Sequence, residues 1–279
     1  MSLPVVPAVV AKLRMLVKQP ATTVDEVAGL IEQDPHITTQ MLRLSNSTFY
    51  ARGHRSNDVK VALNRVGFRK IQNMAETIYA QNCFALKDAS LRLLQEKTWR
   101  YSVARAVAMR TLVGGVPVSQ PLAAPAGPRP DPETAYLAGL LSDIGVSFLL
   151  WVMSEKSAAG PGEAAGSQDS ILASLREHHQ KMGSVVLRQW GTEQEVALSA
   201  LCHHPNLEIP PGHLYWKFLV VSAELADQLA PGDDISRTQP FDSSVVSKCK
   251  SELGISAELL ARLRVQLQDE CHDILNSLA

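Results

Sequence analysis

Apolar residues recur along most of the chain at spacings of three and four, the period of an amphipathic helix. Val6, Val9, Val10, Leu13, Leu16 and Val17 lie on one stripe, with Ser2 as a candidate N-cap. Thr23 and Glu26 have capping-box spacing, and Val27, Leu30 and Ile31 follow on the inward side. Asp34 then Pro35 reads as a cap and a first-turn proline ahead of Ile37, Met41, Leu42 and Leu44. Gly67 separates a helix expected at 59–66 from one at 68–84. Further helices are expected at 90–113, 133–153, 171–190, 192–202 and 214–229. Two more close the chain, the last at 256–277. Alternating strand patterns are not found, so the pattern predicts an all-α fold, a multi-helix bundle with a small amino-terminal helical subdomain.

Two stretches interrupt this texture. Residues 114–132 are rich in Pro, Gly and Ala, and 157–168 carry Gly160-Pro161-Gly162 and Gly166; both read as long loops. A boundary near residue 88 divides short helices (1–88) from longer ones (89–279), the two parts forming one module. Lys+Arg total 27 against 28 Asp+Glu, so no chain-wide pull toward nucleic acid or an anionic membrane is expected. Cys83, Cys202, Cys249 and Cys271 form no C-x-x-C pair and read as reduced, mostly buried thiols. The first residues lack the character of a signal peptide, and no uninterrupted apolar run reaches bilayer-spanning length. The expected location is the cytoplasm.

Candidate chemistry lies in Leu140-Leu141-Ser142-Asp143-Ile144-Gly145, in His178-His179 and in His203-His204-Pro205. Asp143 sits in an apolar context, where a carboxylate needs a hydrogen-bond donor, a cation or a metal. On spacing alone two readings stay open. Metal binding by His and Asp side chains converging from several helices is one. The other is that Asp143 bonds a helix end while the His pairs are surface or core residues. A basic stretch comprises Arg43, Arg52, Arg55, Lys60, Arg65, Arg69 and Lys70, opposed by Asp58 alone. It could attract an anion, an acidic partner or a nucleic-acid backbone; a solvated helix face is the plainer reading, and no base-reading pattern accompanies it. Asn46, at a helix end, reads as structural.

An ordered series of motifs resembles the HDOD domain family. Leu3-Pro4 and Pro7, Ile31-Glu32-Gln33-Asp34-Pro35, Met41 through Ser47 with Phe49-Tyr50, and Ala62-Leu63 with Val66-Gly67 carry its first half. Trp99 with Ser102-Val103-Ala104, Ala138-Gly139-Leu140-Leu141 with Asp143-Ile144-Gly145, His179 with Gly183, and His203-His204-Pro205 carry the rest. HDOD domains are similar to the HD superfamily of metal-dependent phosphohydrolases. That resemblance implies a metal-site position at each of several residues. The superfamily's His-Asp pair falls on Ser142-Asp143, its earlier His on Tyr101 and its phosphate-handling Lys on Val146. Asp143, His179 and one of His203 or His204 remain, and Asp227 matches the distal Asp. Hydrolysis in this superfamily needs an ion to activate water and neutralise phosphate charge, so losses at Tyr101, Ser142 and Val146 imply a non-catalytic domain. The expected role is signalling or regulation through protein contacts or a nucleotide ligand in the old cleft, with no cofactor. If an ion binds, Asp143, His179, His203 and His204 are the expected ligands. The alternatives are a phosphohydrolase with an atypical site that also uses Asp227, and a nucleic-acid-associated regulator using residues 43–70.

Overall fold

The computed structural model describes residues 3–51, 53–116, 130–158, 167–205, 213, 215–230 and 240–278. Among these every regular element is a helix: α1 (Ala8–Leu16), α2 (Val24–Ile31), α3 (Pro35–Ser45), α4 (Thr48–Ala51), α5 (Val59–Val66), α6 (Phe68–Asn82) and α7 (Ala89–Gly115), then α8 (Pro132–Leu140), α9 (Ile144–Ala158), α10 (Gln168–Gln189), α11 (Gln194–Cys202), α12 (Trp216–Leu229), α13 (Ser243–Leu253) and α14 (Ala257–Leu278). Ser2 lies outside the described residues, and Pro7 occupies the N-cap of α1. Most of the 114–132 and 157–168 stretches also lies outside them.

The chain forms two compact units, residues 1–83 with 269–279, and residues 84–268. The sequence division at 88 leaves the last turns with the second part. They pack instead with the first unit, where buried Glu270 accepts a hydrogen bond from Tyr50 Oη at 2.8 Å. The capping signals hold. Thr23 and Glu26 bond reciprocally at the start of α2, and the Asp34 carboxylate accepts from the amides of His36 and Ile37 at 3.0 Å. Val10, Leu13, Val27, Ile31, Met41 and Ile71 are fully buried in this unit. Each contributes on the order of 1.5–3 kcal/mol of burial. Glu76 among them is held by Arg14, whose Nη2 lies 2.7 Å from Oε2.

In the second unit α7 is central. From Tyr101 to Val113 every side chain is buried, so this part of the helix is surrounded on all sides. It packs against α8, α9 and α12, while α10 packs against α9 and α11. The single helix expected at 133–153 is two helices, interrupted at residues 141–143. Apolar periodicity runs straight through the break and conceals it. Within the 25 residues Pro132–Lys156 an 18-residue run is apolar enough to cross a bilayer, but the stretch is divided by this break and 61% of that run is buried within the fold.

Candidate functional site

The break between α8 and α9 places Ser142 and Asp143 at the centre of the second unit. Two glycines allow it. A Cβ on Gly139 would lie 2.9 Å from the Arg105 carbonyl oxygen and from Ala106 Cα, so only glycine lets α8 approach α7 this closely. A Cβ on Gly145 would lie 1.9 Å from the His179 carbonyl oxygen, so the start of α9 touches the α10 backbone directly. The first approach brings Arg105 to Asp143, and the second brings His179.

Asp143, His179, His203 and His204 offer ligand atoms that all lie within 4.8 Å of one another. All four residues are 2% exposed or less. His203 Nε2 is 2.9 Å from Asp143 Oδ1, and His179 Nε2 is 3.1 Å from His203 Nε2. The Nδ1 atoms of His179 and His203 face the carbonyl oxygens of Leu175 (2.7 Å) and Ala200 (2.9 Å). Carbonyls only accept, so each Nδ1 carries a hydrogen and each Nε2 is turned toward Asp143. These are the tautomers a metal requires, and the donor set suits one ion of the zinc class.

The remaining environment favours a different partner. Arg105 Nη1 lies 3.0 Å from Asp143 Oδ2 and donates to Ser142 Oγ at 2.9 Å, while Nη2 donates to Tyr101 Oη at 3.1 Å. Ser142 in turn donates to the Gly139 carbonyl at 2.9 Å. Burial would push the Asp143 carboxyl up, but His203 and Arg105 together hold it well below the usual carboxylate range. Burial, reinforced by His203, pushes His179 down to about 4 and moves His204 in the same direction. Burial raises the Tyr101 phenol to about 12, so it is neutral at physiological pH.

Of the positions implied by the family resemblance, Asp143, His179, His203 and His204 come together. Tyr101 and Ser142 surround Arg105. Asp227, on α12, lines a cleft of about 450 Å³ with Tyr101, Arg105, His203 and His204 and lies outside the four-ligand group. Val146 is fully buried in an apolar cluster with Leu86, Leu91, Leu150 and Leu175. Arg105 was not among the expected residues, although a lone cation within Val103 to Met109 is itself a signal, because a buried guanidinium requires a carboxylate.

The basic stretch disperses. Lys60 pairs with Asp25 at 2.7 Å, and Arg65 reaches the Ser45 carbonyl at 3.4 Å. Arg69 and Lys70 on α6 are each half-buried, and Arg52 lies outside the described residues. Arg43 and Arg55 are exposed and line a polar groove with Asn46 and Asp273 in the first unit. Asn46 fixes the chain after α4, accepting from the Ser56 amide and donating to its carbonyl, both at 2.8 Å.

The fold has solved counterparts. A proposed metal-dependent phosphohydrolase from Shewanella amazonensis SB2B is 22% identical, with a TM-score of 0.71, over 100% of this chain and 93% of that one. A proposed signal transduction protein from Marinobacter aquaeolei VT8 is 21% identical, with a TM-score of 0.68, over 99% of this chain and 60% of that one. An HDOD domain protein from Geobacter sulfurreducens is 18% identical, with a TM-score of 0.64, over 98% and 93%. At these identities the likeness is one of fold. An uncharacterized protein of Treponema pallidum (strain Nichols) is 21% identical over 220 residues, and the chain spans 39% of that relative's length. The HDOD domain model itself matches residues 3–206, well over half of the sequence, and the chain therefore belongs to the HDOD domain family.

Proposed function

We propose that this chain is a bacterial, cytoplasmic signal-transduction module that binds and does not hydrolyse. The carrying observation is the closed character of the buried cluster. Asp143, His179, His203 and His204 offer four ligand atoms from the protein alone, so that any ion held there would have its positions taken by side chains. Such an ion would supply positive charge and Lewis acidity, but a hydrolytic site also keeps a position open for water. Ser142 spends its hydroxyl on Gly139 and Arg105, and Val146 puts a methyl-bearing side chain where a phosphate-handling cation is expected.

Binding, rather than turnover, is then what the surfaces offer. The cleft over the cluster has the size of a small-molecule site and apolar walls from Val220, Phe241 and Val246. Its described charged walls are Arg105 and Lys250 against Glu224 and Asp227, and Arg105 is also paired with the buried Asp143, so it presents no surplus of positive charge to a phosphorylated ligand. The exposed guanidiniums of Arg43 and Arg55 suit an acidic segment of a partner protein. Nucleic acid is the weaker fit because the other described cations of the stretch are half-buried or engaged within the protein.

The convergence of four ligand atoms favours one alternative, a metal-dependent phosphohydrolase with an atypical site. Turnover of cyclic di-GMP and of a generic phosphodiester in Mn²⁺ separates the two readings. The expected result is no rate above the protein-free blank. A metal-dependent rate that disappears in Asp143→Asn would overturn the non-hydrolytic reading.

A further inference from the structure

Arg105 is the feature of the cluster that neither the sequence pattern nor the family match assigns. Its guanidinium is 1% exposed and bonded to three side chains, Asp143, Ser142 and Tyr101. Its place on α7 is fixed, because its own carbonyl and Ala106 lie close against Gly139 on α8. It cannot lose its charge, since a guanidinium stays protonated in proteins.

The imidazoles, by contrast, are arranged as for an ion. Their Nδ1 hydrogens are committed to Leu175 and Ala200, and Nε2 of His179 and His203 converge on Asp143 Oδ1. An entering metal would share a single carboxylate with a permanent cation in a water-poor interior, where like charges are weakly screened.

We propose that the Arg105 guanidinium takes the place of a metal's positive charge, and that its removal converts Asp143, His179, His203 and His204 into a high-affinity site for one zinc-class ion. Arg105→Met keeps much of the side chain's volume and removes the competing charge. Arg105→Lys keeps the charge and so keeps the site closed to metal. Asp143, left without Arg105, then depends on the ion for compensation, which couples metal binding to folding.

The test compares the wild-type chain, Arg105→Met and Arg105→Lys in titrations with Zn²⁺ and Co²⁺. Metal content after gel filtration, the visible absorption of bound Co²⁺ and the thermal midpoint are read for each. Arg105→Met is expected to retain one ion per chain, bind it about 100-fold more tightly than wild type, and melt higher with Zn²⁺ than without. Its Co²⁺ absorption should be that of a tetrahedral site and should vanish on adding His203→Ala, which separates this cluster from surface histidines. Wild type and Arg105→Lys should retain none. Wild-type protein that retains one tetrahedral Co²⁺, lost in His203→Ala, overturns the inference. So does an Arg105→Met chain that folds without gaining an ion, or that fails to fold even with Zn²⁺ supplied. Affinity and turnover fail separately: a wild type that binds an ion yet hydrolyses nothing refutes the role given to Arg105 and leaves the non-hydrolytic reading standing.

Discussion

Gly145 sets the spacing on which the buried cluster depends. A methyl group there would overlap the His179 carbonyl and lie 2.7 Å from the Gly183 amide nitrogen, both backbone atoms that cannot rotate away. Gly145→Ala should therefore cost about 3 kcal/mol or more in urea unfolding and displace His179 from Asp143; a cost near zero would mean that α9 and α10 do not meet as described. Asp143→Ala strands the buried Arg105 charge and should cost on the order of 3–5 kcal/mol. The same residues set the response to acid. His179, with an ordinary value near 6.5 and a folded value of about 4, takes up its proton more readily unfolded. Its contribution to stability is complete above pH 6.5 and is lost as pH falls toward 4, amounting to roughly 3 kcal/mol. His204 acts in the same sense, and Asp143 extends the loss below the ordinary carboxylate range. Melting temperatures measured at pH 7, 5.5 and 4.5 should fall steadily; a rise on acidification would contradict the buried neutral imidazoles.

Among the helices, those with local signals were legible and those shaped by tertiary contact were not. The Thr23–Glu26 box, the Asp34 cap with Pro35, and Gly67, whose φ of 90° ends α5, are written in neighbouring residues. Thr23→Ala should accordingly cost about 1 kcal/mol. Gly29 gives the opposite sign. It lies inside α2 with open space where a Cβ would be, so Gly29→Ala should stabilise by about 0.5–1 kcal/mol in the same unfolding assay. The break at 141–143 had no such marker. Leu140, Leu141 and Ile144 continue the apolar pattern across it, and the chain turns there between helices that Gly139 and Gly145 allow to approach. Arg105 escaped notice for a related reason: it lies one helical turn from Tyr101, and its meaning comes from Asp143, 38 positions away.

At the scale of the whole molecule, the family was legible because its motifs recur in order along residues 3–206. The pairing of 269–279 with the first unit was not, because the helical pattern of α14 continues from the second unit without interruption. The central claim is that the cluster in the second unit, with or without an ion, presents no activated water to a phosphodiester. Crystals of the wild-type chain soaked in Mn²⁺ and measured at the manganese absorption edge test it most directly. The expected map has no anomalous peak among Asp143, His179, His203 and His204; a peak enclosed by those four side chains alone would refute the role given to Arg105 and leave this claim standing. A peak carrying a coordinated water that faces the cleft beside Tyr101 and Asp227 would contradict the account.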